Sequence, residues 1–489
     1  MERVTKEKFA SNTFWKFTEI IIRKSIALVI STILARLLTP EAYGIVALTT
    51  IFIAFSDIFI LSGFNVTIIR KTHVDEEDYS TVMIISLVFS LIVYLIVYLI
   101  APIVSDYFSS SELKDVLRVI TILIFFQSIA AVIRAKATRS LKFKEMSFIA
   151  IGGNGAASII GLGMAYKGFG VWSLVAQQVL ASFFDMLFLL IVFKWRFMWH
   201  FSISKAKDML RFTFGVLGAS FLDFIGNNAS ALVVGRVFNA SEIGIMNRGN
   251  MYPETICLNM YNSINGVLLP TLSSRQNNID DLKRVVRKVV SLTEYVILPL
   301  MIGLIAISDD FVSVLLTHKW DACIPIMICA CMYYAINPIR SIEYTVFYAM
   351  GKSERNLKIE SIRFIAMILN LFVTIIILRQ SIYMLFYANV LIAVSIVIFT
   401  HFQVYKCIGY KLSELFSDIY PSLIMSGIMG AVVKYVSLIT KESLIILAVQ
   451  GLIGIAVYGF LSVISHNDNY LFVKGYILEK LHLRRIGNE

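Results

Sequence analysis

Charge is scarce in this sequence. Only 16% of its residues are Asp, Glu, Lys or Arg, against 58% apolar, and a mean hydropathy of +0.77 lies far outside the range of water-soluble chains. Catalytic and ligand-binding signatures are equally thin. The five cysteines, Cys257, Cys323, Cys329, Cys331 and Cys407, are odd in number and show no CxxC spacing, which argues against a disulfide framework or a zinc site and makes them packing residues. The six histidines are scattered, and His401 reads as a helix-end residue rather than a base. No GxxxxGK[ST] loop is present, which argues against ATP hydrolysis. The connections between apolar stretches run to about 20 residues at most, too short for a catalytic domain outside a membrane.

What is present is a long series of apolar runs. A hydrocarbon core about 30 Å thick takes roughly 20 residues of helix to cross. Lipid satisfies no backbone hydrogen bond, so helices or a closed barrel are the choices, and runs of this length exclude barrel strands. The expected fold class is all-α and integral to the membrane. Spans are expected near 14–37, 42–66, 80–101, 115–133, 147–166, 170–193, 212–235, 243–270, 289–307, 322–350, 362–378, 382–405, 415–436 and 443–465, which makes about 14. The first carries Lys16, Glu19, Arg23 and Lys24 and has no small-residue cleavage site, so it is read as a retained helix and not a signal peptide.

The net charge of +11 could mean nucleic acid, but its distribution says topology. The even-numbered connections and both termini hold 30 of the 44 basic residues, including Arg134, Lys136, Arg139, Lys142 and Lys144 in one loop, while the odd-numbered connections hold 7. By the positive-inside rule both termini are expected in the cytoplasm, and no nucleic-acid partner is needed to explain the charge.

Two stretches recur at nearly one offset. "ARLLTPEAYGIVAL", after helix 1, resembles "VGRVFNASEIGIMNRG", after helix 7, pairing Arg36 with Arg236, Glu41 with Glu242 and Gly44 with Gly244. Phe148–Asn154 resembles Phe364–Asn370. Together they argue for duplication of a six-helix unit. Six is even, so the copies are parallel, the pattern of transporters with a midplane site between pseudo-symmetric lobes. The expected division is a first lobe at 1–203 (helices 1–6), a second at 204–412 (helices 7–12), and helices 13–14 with a cytoplasmic tail at 413–489.

Ionisable groups inside a bilayer cost several kcal/mol each by insertion scales of about 2.5–3.5 kcal/mol, so each calls for a partner or water. Helix 1 places Asn12, Lys16, Glu19 and Arg23 on one face. Snorkelling at the interface with a Glu19–Arg23 pair is one reading, and a cavity lined by Arg23 and Lys24 is the other. Helix 8 is unusually polar, with Asn247, Arg248, Asn250, Glu254, Asn259, Asn262 and Asn265. A hydrated anion-binding cavity and interhelical hydrogen-bond glue both fit it. Helix 7 adds Asp223, Asn227 and Asn228, and helix 10 adds Asn337, Arg340, Glu343 and several tyrosines. Aromatic and amide groups suit sugars, although tyrosines near span ends also form interfacial belts. Asp57 and Asp185 could exchange a proton, hold sodium or form a salt bridge.

With these residues in view, the sequence resembles the polysaccharide flippases, of the Wzx type, within the multidrug/oligosaccharidyl-lipid/polysaccharide (MOP) exporter superfamily. "ILARLLTPEAYGIVAL" (Ile33 to Leu48) is similar to that family's signature after helix 1, and Ile243 to Gln276 is similar to its Tyr-Asn-Arg segment, with Ile245 and Met246 standing where the family has an aromatic pair. The resemblance implies a non-enzymatic flippase that carries undecaprenyl-pyrophosphate-linked repeat units of O-antigen, capsule or exopolysaccharide across a bacterial inner membrane. Its partners would be the lipid-linked oligosaccharide, membrane lipids and the polysaccharide polymerase and chain-length machinery. Arg23, Lys24, Arg248 and Arg340 would neutralise the pyrophosphate, with Asn247, Asn250, Asn227 and Asn228 toward the glycan. Glu19, Asp57, Asp223 and Glu254 would supply counter-charge or Na+ or H+ coupling, with no other cofactor. A cation-coupled drug or lipid antiporter of the same superfamily is the competing expectation, though its cavity would be acidic. A membrane polymerase or acyltransferase would need a large periplasmic loop or a buried catalytic histidine.

Overall fold

A computed structural model describes residues 27–57, 74–140, 142–197, 199–207, 234–276, 278–377, 381–439, 443–472 and 474–475. The expected site residues Glu19, Arg23, Lys24, Asp223, Asn227 and Asn228 lie outside them, as do the side chains of Asp57, Asn259, Asn262 and Asn265. Every long element is a helix, and no strand occurs among the described residues. Nine of their helices are long and apolar enough to cross a membrane. This is a multi-pass membrane protein of the expected all-α class.

The chain divides into two compact units, Met1–Gly244 and Ile245–Glu489. The first contains α1 (Ala27–Leu37), α2 (Pro40–Asp57), α3 (Glu76–Tyr107), α4 (Ser111–Ile120), α5 (Leu123–Arg139), α6 (Phe143–Tyr166), α7 (Val171–Val192) and the opening turn of α8 (Ala240–Ser273). The second holds the rest of α8, α9 (Ile279–Ala306), α10 (Ser308–Leu315), α11 (Ile324–Ala349), α12 (Ser353–Leu371), α13 (Ile382–Ile408), α14 (Leu412–Ile439) and α15 (Leu444–Ile464).

Polar end turns extend several helices beyond their apolar windows. Helix α3 begins at Glu76, four residues before the span expected from hydropathy, because Asp75 and Asp78 form a reciprocal capping box of 2.8 and 3.1 Å. Its 32 residues make a rod of about 48 Å. Lys205 bridges Asp75 and Glu77 at 2.6 and 2.5 Å, and those carboxylates raise its pKa above the ordinary lysine value. Helices α4 and α5 are one expected span interrupted at Thr121–Ile122, where the turn tightens and the Thr121 hydroxyl bonds Leu117 O at 2.6 Å.

Burial runs in the sense that lipid demands. In α15, Gln450 and Ser462 are fully buried, while Ile445 and Ile455 are 75% and 73% exposed. Apolar faces turn outward and hydroxyls turn inward. In the first unit small residues bring helices close: Ser90 of α3 and Ser128 of α5 share a 2.5 Å hydrogen bond. A Cβ on Gly161 of α6 would stand 2.9 Å from Gln177 Cβ of α7. Without a hydrophobic drive between helices in lipid, such close backbone approach supplies the packing energy. In the second unit α9 packs on α11 and α14, with Val286, Val290, Ile342, Val346 and Phe347 in its core.

Candidate functional site

The repeated turns meet the expectation of equivalence in detail. Thr39 caps α2, its hydroxyl accepting from Ala42 N at 3.4 Å, and Asn239 caps α8, its side chain accepting from Glu242 N at 2.9 Å. These caps set an offset of 200, which pairs Ala42 rather than Glu41 with Glu242 and corrects that one match. Gly44 and Gly244 then serve a common purpose. A Cβ on Gly44 would fall 1.6 Å from Ala240 O, and one on Gly244 would fall 1.9 Å from Pro40 O. The contact is reciprocal, and no side chain fits at either position.

Among its described residues the first unit has a polar interior with little charge. A cavity of about 240 Å³ is lined by Ser31, Tyr43, Asn154, Ser158, Gln177 and Gln178 among others, none of them ionised at neutral pH. Its amides were not singled out in the sequence, because isolated Asn and Gln hardly lower a hydropathy average. Asp185 was, and of its three readings the structure shows the salt bridge. Arg134 of α5 clasps both carboxylate oxygens, with Nε donating to Oδ2 at 3.2 Å and Nη2 to Oδ1.

Among the described residues, the second unit carries most of the buried ionisable groups. Arg248 in α8 is 3% exposed, with its guanidinium 5.3 Å from the ring centre of Trp320 and Nη1 3.4 Å from Met251 Sδ. Gly249 lets α8 approach the turn before α11, since a Cβ there would stand 2.9 Å from Cys323 O. One turn on, Asn250 Nδ2 donates to Glu254 Oε2 at 2.8 Å. Arg340 of α11 is engaged elsewhere. Nη1 donates to Glu360 Oε1 at 2.6 Å, Nε and Nη2 to Asn337 Oδ1 at 3.1 and 2.6 Å, and Glu360 also binds Arg363 at 2.6 Å. Two arginines on one carboxylate leave a net positive charge there. Asn247, Arg248, Asn250 and Glu254 thus share one helix, and Arg340 stands in a separate cluster with α12.

Two groups escaped the sequence reading. His401 is no helix-end residue: it is buried in α13, and its Nδ1 lies 2.6 Å from Glu343 Oε1 of α11, itself fully buried. The carboxylate partner 58 residues away made the position tolerable, and spacing along one helix could not reveal it. Glu294, midway along α9, is 1% exposed with neither carboxylate oxygen hydrogen-bonded. A lone Glu within an amphipathic helix looks like a solvated position in the sequence. All five cysteines are buried and unbridged.

Long apolar helices enclose amides, hydroxyls and the buried Arg248, and solved structures share this fold. The chain is similar to a "Lipid II flippase MurJ, inward closed conformation", with a TM-score of 0.69 and 18% identity over 94% of this chain and 99% of that one. It is also similar to an inward-facing multidrug resistance MATE family transporter of the MOP superfamily, with a TM-score of 0.56 and 16% identity over 79% and 98%. At such identities the likeness establishes the fold. Residues 33–325 match the family described as "Polysaccharide biosynthesis protein", and the chain belongs to that family. Its curated relatives include the "Succinoglycan biosynthesis transport protein ExoT" of Rhizobium meliloti, 22% identical over 60% of each chain. A "Lipopolysaccharide biosynthesis protein WzxC" of Escherichia coli is 21% identical over 69% of this chain and 70% of that one. The "Teichuronic acid biosynthesis protein TuaB" of Bacillus subtilis is 22% identical over 88% of each. The match to the first of these spans about 60% of the relative's own length.

Proposed function

We propose that this protein is a flippase that moves undecaprenyl-pyrophosphate-linked oligosaccharide units across the bacterial cytoplasmic membrane, with both termini on the cytoplasmic side. The observation that carries this reading is Arg248: a guanidinium held almost fully buried in a polar membrane helix, in a family that builds polysaccharide. Moving a pyrophosphate through hydrocarbon is the hardest step, because each charge is costly there. Guanidinium is the group best matched to it, since its fork of donors fits phosphate oxygens and its charge is permanent.

In this reading Arg248, with Arg23, Lys24 and Arg340, neutralises the pyrophosphate, and Asn247, Asn250, Asn227 and Asn228 bond the sugar hydroxyls. The lipid tail stays in the bilayer. Lobes at 1–203 and 204–412 alternate in access to the two leaflets, helices beyond 413 are an addition, and Glu19, Asp57, Asp223 and Glu254 supply counter-charge or ion coupling. The glycan is delivered to a polymerase and its chain-length machinery. The close crossing at Gly44 and Gly244 supports a moving part, since two helix starts touching backbone to backbone separate without unthreading side chains.

The test is reconstitution in liposomes with a fluorescent lipid-pyrophosphate oligosaccharide. Wild type is expected to exchange it between leaflets, and Arg248→Ala and Arg23→Ala to slow exchange about 10- to 100-fold, the worth of one to two charged hydrogen bonds. Unchanged exchange in both variants would remove these residues from the path. Wild type that moves a cationic drug and not the pyrophosphate lipid would favour the antiporter.

A further inference from the structure

Among the described residues, four acidic side chains are buried: Asp78, Glu294, Asp310 and Glu343. Three have partners. Asp78 closes the α3 capping box, Asp310 accepts from Gln450 Nε2 at 2.7 Å, and Glu343 holds His401 at 2.6 Å. Glu294 alone among them has neither oxygen hydrogen-bonded.

Among the described residues, the surroundings of Glu294 supply no counter-charge. From α8 the Cys257 thiol lies within electrostatic reach of both Glu294 and Glu254, and Glu254 is bonded to Asn250. Tyr334 of α11 meets Cys257 through its carbonyl, which accepts from Sγ at 3.6 Å. On the other elements packed against α9, each buried acid and its counter-group are engaged with one another or with an amide. His401 of α13 is held by Glu343, Asp418 and Glu414 of α14 by Arg287, Asp310 of α10 by Gln450, Asp309 of α10 by Lys434, and the Tyr458 hydroxyl of α15 donates to Tyr295 O at 2.7 Å. An ionised carboxylate without a donor costs several kcal/mol in such a place, where a methionine or leucine would pack at no such cost. The acid therefore makes no structural bond that accounts for it.

We propose that Glu294 is a proton-binding site of the second unit: protonated in the conformation described, and ionised when α9 rearranges to admit water. The step balances simply, since the carboxyl O–H breaks, the proton passes to water, and the reverse reaction restores it. Sodium is the poorer occupant. A hard monovalent cation needs several oxygen ligands, the neighbouring ionisable group is a soft thiol, and no group of three or more His, Cys, Asp or Glu able to hold a metal occurs among the described residues. What the proton would drive rests on the flippase reading; that the site binds a proton does not.

The experiment is labelling of the purified full-length protein in liposomes with dicyclohexylcarbodiimide, which attacks protonated carboxyls in apolar surroundings, read by peptide mass spectrometry. Glu294 is expected to be labelled at pH 6, with labelling falling about tenfold for each pH unit above the midpoint of its titration. Glu294→Gln, which keeps shape and polarity, should lose the label at that peptide while keeping its elution volume and thermal midpoint. Absence of label on Glu294 throughout pH 5–9 would overturn the proposal, as would label at fixed pH that sodium chloride removes and potassium chloride does not. In the same liposomes an imposed pH gradient should accelerate exchange of the pyrophosphate lipid by wild type and not by Glu294→Gln. An equal response of both would sever the site from transport. Label on Glu294 with no lipid exchange by wild type would count against the flippase reading and for the proton site.

Discussion

The two units solve one problem, polar groups within a bilayer, in different ways. Among the described residues of the first, the interior is built from hydroxyls and amides, Asp78 closes the cap of α3, and Asp185 is clasped by Arg134. The second holds Arg248, the Glu343–His401 pair, the Arg340–Glu360–Arg363 cluster and the unbonded Glu294. Hydroxyls and amides satisfy one another and need no change of state. Among the described residues of the second, charges either pair, as at Glu343–His401 and Arg340–Glu360, or stand without a hydrogen bond, as at Glu294.

That contrast can be broken first at the Glu343–His401 pair. Replacing His401 with Leu strands a fully buried carboxylate and is expected to cost about 3–5 kcal/mol, whereas replacing both partners with Leu should recover most of it. Chemical or thermal denaturation in detergent measures this; a double variant no better than the single would mean that the pair is not a unit. The Arg134–Asp185 pair of the first unit is partly exposed, Arg134 33% and Asp185 15%, and Arg134→Leu should cost less, on the order of 1 kcal/mol. Equal losses at the two sites would erase the contrast between the units.

Next in size is Gly44→Ala. Its Cβ cannot be accommodated against Ala240 O, and opening the crossing is expected to cost about 1–3 kcal/mol. If the crossing loosens during transport, the variant should destabilise the described conformation and shift accessibility of a cysteine placed at Asn239, and an unaltered labelling rate would speak against a moving contact. The smallest effect belongs to Ser90→Ala, which removes one interhelical hydroxyl bond to Ser128 and should cost about 0.6 kcal/mol.

Much of this was legible in the sequence for a physical reason: transfer from water to hydrocarbon is a sum over residues, so windows of apolar residues locate spans whatever their partners. Polar α8 stood out by the same sum. Helix ends were misjudged where they depend on particular hydrogen bonds, as at Asp75 and Asp78, which no hydropathy average contains. The repeat was visible at Gly44 and Gly244 because only glycine fits there, yet Glu41 and Glu242 matched one residue out of register because a cap is defined by geometry and not by residue type. Glu294 and His401 were missed because their meaning lies in what stands opposite them. Asp185 carried an unresolved choice that only the position of Arg134 could settle.

The central claim is that a buried cationic helix lets a pyrophosphate cross the bilayer. Its most direct test measures leaflet exchange of two lipids bearing the same oligosaccharide, one through pyrophosphate and one through an uncharged linker, in wild type and Arg248→Ala. The account predicts loss of exchange of about 10- to 100-fold for the pyrophosphate lipid alone. Equal slowing of both lipids, or of neither, would contradict it.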